Sequence, residues 1–202
     1  GDLPVVVHVS RADDIVRILA LSADLDLELV LTGVEEGWIV AAEIAAANVP
    51  VILRPLADLP TTFSTLRTRY DNAALLEDAG VRVVLMTQGA WDVHNLRQEA
   101  GNAVRAGMSW DAALRGITSL PAEVFGMDDY GTLATGKMAS LVVWSGDPFE
   151  LRSVPRHVFV RGAEQSLRTR MTELFERYRD LETVERGWRG IPTVPGAEAV
   201  DE

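Results

Sequence analysis

The sequence predicts an α/β fold with a parallel sheet, and two patterns in its first half carry the prediction. Four apolar segments of strand length alternate there with segments of helical period. The strand segments, such as 5–9 and 49–53, are apolar at almost every position rather than at every second one. Strands that crossover helices cover on both faces have this composition. The alternation therefore predicts repeated β-α units whose strands run parallel.

Each predicted strand leads into a helix, directly or through a loop. The strands are residues 5–9, 27–31, 49–53 and 81–86. Helices are expected after Ser10 and over 38–47, 71–79, 94–106, 110–117 and 121–125. Ser10 is placed to cap the first helix, because a serine side chain accepts hydrogen bonds from the free N–H groups of a first turn. A long loop, 54–70, separates the third strand from its helix.

Composition excludes several classes of function. The chain has 202 residues, a net charge of −11 and no cysteine. An acidic protein lacks the basic surface that binds nucleic acid or anionic membranes, so we expect neither partner. Without cysteine there is no disulfide and no thiolate nucleophile. The chain opens at Gly1 rather than at methionine, so we expect its natural N-terminus to be absent. We expect a soluble protein, and the sequence leaves its compartment open.

Two short strands and a helix are predicted in the last third of the chain. Residues 131–147 read as a turn, an apolar strand at 141–144 and a second turn, and another strand follows at 157–162. A final helix is expected over 166–186, because its apolar residues recur at steps of three and four. We expect this helix to pack on the body of the protein or on a partner chain. The tail from Gly187 is rich in glycine, proline and acidic residues and is expected to be loose.

A long ordered motif runs over 118–162. It joins a Thr-x-x-Pro-Ala helix to a Gly-x-Leu-x-x-Gly-Lys-x-Ala-x-Leu-Val-Val strand, a Gly-Asp-Pro turn and a strand that ends in glycine. Its residues are Thr118, Pro121, Ala122, Gly126, Gly131, Leu133, Gly136, Lys137, Ala139, Leu141, Val142, Val143, Gly146, Asp147, Pro148 and Gly162. This motif resembles the C-terminal signature of the metal-dependent amidohydrolase superfamily, in its imidazolonepropionase-like and prolidase-like branch. Ser140 stands where that signature has aspartate, at a position expected to be structural.

The resemblance implies the second half of a TIM-like (β/α)8 barrel. Members of the superfamily combine such a barrel with a small β-sandwich built from both chain ends. The four β-α units resemble strands five to eight. Residues 1–130 are therefore expected to form half of a barrel, 131–163 strands of the β-sandwich, and 164–202 a terminal amphipathic helix with a loose tail. Four strands cannot close a barrel, so we expect the absent N-terminal half or another copy of the chain as a partner.

The resemblance also implies where a metal site would lie. Amidohydrolases hold one or two divalent metals with a His-x-His on strand one, a Lys or Glu on strand four, histidines after strands five and six, and an aspartate after strand eight that is also the general base. His8 matches the strand-five histidine, and is either a metal ligand or a plain hydrogen-bonded histidine. At the strand-six and strand-eight positions this chain has Thr32 and Gln88 in place of the histidine and the aspartate. Glutamine is a poor metal ligand and cannot act as a base near neutral pH. We therefore expect Thr32 and Gln88 to bind substrate rather than metal. We expect a degenerate or incomplete site with one divalent metal, zinc by ligand type, or none.

Other polar residues follow the predicted strands at the same edge of the sheet. Asp92 and His94 are two residues apart after the fourth strand. Three roles are open for them: a catalytic hydrogen-bonded pair, a displaced metal site, or a helix cap at Asp92 beside a solvated His94. Arg54 ends the third strand and binds an anionic group of a substrate or forms a structural salt bridge. Glu35 and Glu36 reach the same mouth or belong to a solvated loop.

Two functions of different classes remain. The first is a hydrolase that acts on carbon-nitrogen bonds other than peptide bonds in a small-molecule substrate, with water attack at the barrel mouth. The alternative is a catalytically inactive amidohydrolase-like domain with a binding or structural role. Thr32 and Gln88 favour the alternative, whereas His8 and the loop of Asp92 and His94 favour the hydrolase.

Overall fold

A parallel sheet forms the centre of the first part of the chain. The computed structural model describes residues 3–57 and 60–179. The sheet contains, in spatial and chain order, β1 Val5–Val9, β2 Leu29–Gly33, β3 Val51–Leu53 and β4 Val83–Leu85. Every neighbouring pair is parallel. The predicted strands and their direction are therefore confirmed, although β2, β3 and β4 begin slightly later than the apolar runs that predict them.

Helices connect the strands and continue after the last one. They are α1 Ala12–Asp24, α2 Ala41–Ala46, α3 Asn72–Asp78, α4 Leu96–Arg105, α5 Trp110–Gly116 and α6 Ser119–Val124. Tight 3₁₀ turns at Gly37–Ile39 and Ala90–Asn95 precede α2 and α4. The predicted starts of these two helices, at 38 and 94, were wrong. The N–H of Val40, for example, bonds to the carbonyl of Gly37 three residues back, a pattern common at helix ends.

The N-terminus of α1 is capped by a distant residue. Arg11 is its N-cap residue and makes no capping bond through its side chain. Instead the carboxylate of Glu36, a residue only 8% exposed, accepts a hydrogen bond from the N–H of Ala12 at 3.0 Å. The negative charge lies at the positive end of the helix dipole. The predictions that Ser10 caps this helix and that Glu36 is solvated were wrong, because the loop after β2 folds over the end of β1.

Alternate residues of the strands enter two separate apolar clusters. The larger cluster lies between the sheet and the connecting helices and includes Val9, Leu31, Val51 and Leu85 with Ile15, Ile44 and Leu76. The smaller lies on the opposite face, where Val30 and Val84 contact Leu120 and Val124 of α6. Full burial of an aliphatic side chain contributes about 1.5–3 kcal/mol. Packing on both faces explains why the strands are apolar at consecutive positions.

A second, antiparallel sheet follows. Its strands are β5 Leu141–Trp144, β6 Pro155–Val160 and β7 Ala163–Glu164, in that order. The strand β7 was not predicted from the sequence. It forms because Arg161 and Gly162 both have positive φ, 52° and 80°, which is the backbone of a tight two-residue hairpin turn.

The segment between β5 and β6 attaches this sheet to α4. Arg97 Nη1 donates hydrogen bonds to the carbonyl oxygens of Pro148, Glu150 and Ser153 at 3.1, 3.0 and 3.1 Å. Its guanidinium also lies 5.2 Å from the ring centroid of Trp144 in β5. One side chain of α4 therefore gathers three backbone carbonyls of the turn.

Helix α5 holds the same turn from its other side. Trp110 Nε1 donates to Asp147 Oδ2 at 3.0 Å, and the Trp110 ring lies 5.4 Å from that of Phe149. Phe149 packs against the larger apolar cluster. The Gly-Asp-Pro motif is thus a docking turn between the two sheets.

The last described helix, α7 Arg170–Tyr178, exposes its apolar face. Met171 is 73% and Phe175 67% exposed. The helix begins at a capping box, in which the Thr169 side chain accepts from the N–H of Thr172, so the predicted start at Ser166 was wrong. Of the two predicted arrangements, packing on the body is not observed in the described residues, and packing on a partner chain stays a prediction. The predicted loose tail lies outside the described residues. No helix in the described ranges has the length and apolar character needed to cross a membrane.

Candidate functional site

The polar residues predicted at the strand ends meet at one edge of the parallel sheet. One row of paired residues crosses the strands at His8, Thr32, Ile52 and Val84. His8 and Thr32 are therefore neighbours, on the face that also carries Val84 and α6. In open α/β sheets ligands bind at the carboxyl ends of the strands, and His8 lies one residue before the end of β1.

The imidazole of His8 packs against the backbone of Gly33. A Cβ atom on Gly33 would lie 2.6 Å from His8 Cε1 and 2.9 Å from Nδ1. Gly33 also has a φ of +88°, where a side chain is disfavoured. Glycine at this position allows the ring to approach the end of β2. The other side of His8 is open and borders a concave surface that Arg11, Asp14 and Ser64 line.

Glu35 approaches Gly33 as well. Its Oε2 lies 3.2 Å from the position that a Gly33 Cβ would occupy. This oxygen is buried and has no hydrogen-bond partner among the described residues. A buried polar group left without a partner costs about 1–3 kcal/mol, and more if it is charged. Such an atom in a folded protein calls for a bound group or water. The alternative of a fully solvated Glu35 therefore does not hold for this oxygen.

Thr32 and Gln88 have different surroundings. Thr32 Oγ1 lies 3.8 Å from Met86 Sδ, a weak acceptor, and is half-buried. Gln88 is exposed, whereas its neighbour Thr87 is buried and donates to the carbonyl of Gly89 at 3.2 Å. Only Thr32 of the two candidates thus lies in the sheet itself, next to His8.

Arg54 lines a narrow cavity at the ends of β2 and β3. Gly33, Glu35, Arg69 and Asn72 line the same cavity. Arg54 is half-buried, and among the described residues it forms no salt bridge. The structural salt bridge given as the alternative role of Arg54 is therefore not observed within the described ranges.

The loop after β2 is held by a cluster that the sequence did not reveal. Asn72 donates to the carbonyl of Val34 at 2.9 Å and accepts from the N–H of Trp38 at 3.0 Å. Arg69 lies 4.7 Å over the Trp38 ring and makes two hydrogen bonds to Asp71, at 2.7 and 2.6 Å. These bonds, more than simple charge attraction, lower the pKa of the Asp71 carboxyl and raise the pKa of Arg69. The cluster fixes the loop that carries Glu35.

Asp92 and His94 lie in the 3₁₀ turn after β4. Asp92 Oδ1 accepts from Asn95 Nδ2 at 2.5 Å, so Asp92 is bonded to Asn95 rather than to His94. The N-cap residue of α4 is Asn95, without a side-chain cap, so Asp92 does not cap that helix. His94 is exposed.

The turn is also near a second buried carboxylate that the sequence did not reveal: Glu99, 3% exposed, accepts from the N–H of Leu56 at 2.9 Å.

A complete metal site is not formed by the described part of the chain. There, no three His, Asp or Glu side chains come together in a way that could hold a metal ion. His8 and Glu35 nevertheless bring one imidazole and one carboxylate to the same side of Gly33. Both are ligand types that zinc accepts. The unpartnered oxygen of Glu35 and the space kept free at Gly33 fit part of a metal site.

Comparison with known proteins identifies the family. The model of the amidohydrolase family matches residues 4–175. An imidazolonepropionase of Paracoccus denitrificans (strain Pd 1222) is 33% identical over 153 residues, which are 70% of this chain and 35% of that protein. An amidohydrolase from Thermotoga maritima MSB8 superposes with a TM-score of 0.75 at 30% identity, over 82% of this chain and 44% of that one.

A more distant structure shares the fold alone. It is a prolidase complexed with N-methylphosphonate-L-proline, with a TM-score of 0.60 and 16% identity, over 81% of this chain and 45% of that one. The chain thus spans less than half the length of these relatives. Its parallel β-α units agree with the TIM-barrel type of α/β fold that they share. This chain belongs to the metal-dependent amidohydrolase superfamily.

Proposed function

We propose that this chain supplies part of the active site of a hydrolase that cleaves carbon-nitrogen bonds, other than peptide bonds, in small molecules. One observation carries the proposal. The His8 imidazole lies at the carboxyl edge of a parallel sheet, exposed on one side and seated against Gly33 on the other. This is the edge at which β-α barrel enzymes keep their catalytic groups.

The residues around His8 would take separate roles. His8 would hold one divalent metal, zinc by its ligand type. When bound, such a metal lowers the pKa of a water and polarises the bond to be cleaved. Arg54, which has no salt bridge among the described residues, would bind an anionic group of the substrate. Thr32 and Gln88 would donate hydrogen bonds to it.

Asp92 and His94 are the proposed groups for proton transfer. They lie in the turn after β4, beside the position where the superfamily pattern has its aspartate and this chain has Gln88. His94 is exposed, and an imidazole can both accept and donate a proton. The bond from Asn95 orients the Asp92 carboxylate.

The proposed architecture is half of a barrel over 1–130, sandwich strands over 131–163 and a terminal helix with its tail over 164–202. The exposed face of β1 supports it. Val6, on the same face as His8, is 48% exposed, although strands of closed barrels bury this face. An N-terminal half or a second copy of the chain would cover it.

A turnover assay tests the function. The full chain, loaded with zinc, is given cyclic amides such as imidazolones, ureas and N-acyl amino acids, since its relatives include an imidazolonepropionase. We expect hydrolysis of one class, lost on chelation and in His8→Ala. His157→Ala is the matched control, because that exposed histidine pairs with Glu164 in the other sheet. Binding of these compounds without turnover by the loaded protein would favour the inactive binding domain instead.

A further inference from the structure

We propose that Glu35 is a metal ligand that acts together with His8, and this inference rests on the metal-dependent function proposed above. The superfamily pattern places a histidine after strand six, where this chain has Thr32. Glu35 lies three residues after Thr32, in the loop that follows β2. Its carboxylate would thus supply, from the following loop, the ligand that the strand itself lacks.

The positions of the two side chains carry the inference. His8 Nδ1 and Glu35 Oε2 approach the same point beside Gly33, at 2.9 and 3.2 Å from where its Cβ would be. They come from different segments, β1 and the loop after β2. A side chain at residue 33 would fill the space between them. Glycine leaves it free.

The bonding of the two neighbouring glutamates separates their roles. Glu36 Oε2 caps α1, because it accepts the hydrogen bond from the N–H of Ala12. Glu35 is half-buried as a residue, but its Oε2 is shielded from water and no described residue donates to it. A carboxylate oxygen in this condition is completed by a cation or by a donor from a ligand. The adjacent imidazole nitrogen, itself a common metal ligand, favours the cation.

Hydrogen bonds from Asn72 hold the backbone of the loop that carries Glu35. Asn72 binds the backbone on both sides of the glutamate pair, at the carbonyl of Val34 and the N–H of Trp38. A ligand fixed before binding loses little freedom when the ion enters. Neither Asn72 nor Trp38 needs to touch the ion for this purpose.

Metal affinity, rather than activity, tests the assignment. The full chain, stripped and titrated with Zn²⁺ or Co²⁺ alone, is compared with Glu35→Gln and Glu35→Asp. Glu43→Gln is the control, since it makes the same change at an exposed residue of α2. We expect Glu35→Gln to weaken binding at least about tenfold and to change the visible absorption of bound Co²⁺. Glu35→Asp should weaken it less, and Glu43→Gln should match the wild type.

Two negative results have different meanings. If the wild type and Glu35→Gln bind metal with equal affinity and the same Co²⁺ spectrum, Glu35 is not a ligand, while the metal-dependent hydrolase survives. If the wild type binds no metal, the proposed function fails together with the role of Glu35. Circular dichroism of each variant, matched to the wild type, shows that a loss of affinity does not come from unfolding.

Discussion

The His8 imidazole packs against Gly33 so closely that a Cβ on Gly33 would lie 2.6 Å from His8 Cε1. The two residues belong to neighbouring parallel strands, with His8 paired to Thr32 and Val9 to Gly33. The missing side chain of one residue therefore sets the orientation of the other. The absence of a side chain at position 33 in β2 therefore determines where the His8 ring of β1 can lie.

Gly33→Ala should both strain the backbone and displace the His8 ring, and a control variant with the backbone strain alone separates the two effects. Gly80→Ala is the matched control, because Gly80 has the same φ of +88° with nothing near its Cβ position. Both variants should lose about 1–2 kcal/mol of unfolding free energy in urea from the left-handed backbone. The exposed His8 ring can rotate away, so the clash should change binding at the site more than stability. Only Gly33→Ala should alter the NMR signals of His8; unchanged His8 signals would show that the contact does not orient the ring.

Arg97→Ala should loosen the antiparallel sheet from α4. The substitution removes three hydrogen bonds from a charged donor and the contact with Trp144. We expect a loss of about 2–3 kcal/mol in urea unfolding. Arg97→Lys should restore only part of it, because one ammonium cannot reproduce the planar guanidinium. Arg105→Ala, at the exposed end of the same helix, should cost less than about 1 kcal/mol. Equal losses at the two positions would contradict the docking role of Arg97.

The stabilising effect of Asp71 should depend on pH. The hydrogen bonds from Arg69 lower the pKa of Asp71 in the folded protein. A carboxyl with a lowered folded pKa stabilises the fold above its unfolded pKa, and the effect disappears as the pH falls through the folded pKa. The stability difference between the wild type and Asp71→Asn should therefore be constant near neutral pH and vanish in acid. Both side chains are exposed, so the difference should be small.

Asp78→Asn is the control for that titration. Asp78 is an exposed residue at the end of α3, without a salt bridge among the described residues. Its variant should follow the wild type across the same pH range. A difference between the wild type and Asp71→Asn that stays constant into acid would show that the pair with Arg69 adds nothing to stability.

The parallel sheet was predictable because its signals are local. Apolar runs and β-α alternation mark β1 to β4, and parallel order places His8 beside Thr32 once the strands are known. The helix starts were less predictable. Ser10 has the right chemistry to cap α1, yet Glu36, from a segment distant in sequence, does so. A cap that depends on how a later loop folds leaves no local pattern.

The candidate site divides along the same line. His8 and Thr32 were singled out because the resemblance to the superfamily gives a role to those two strand ends, and Arg54 because it ends an apolar run. The unpartnered oxygen of Glu35 and the clamp of Asn72 on its loop were missed. The first depends on a hydrogen bond that is missing, and the second on a hydrogen bond between residues far apart in the chain. A single sequence shows neither feature. A glycine that follows a polar strand end, such as Gly33, was the one available hint of close packing.

Bound-metal analysis of the full chain, purified without chelators, decides whether His8 is a metal ligand. We expect one divalent metal per chain, lost in His8→Ala and retained in His157→Ala. His8 is exposed, so the loss should occur without a change in unfolding free energy. A protein that binds no metal under any loading condition, or a His8→Ala variant that keeps its metal, would show that His8 is not a metal ligand.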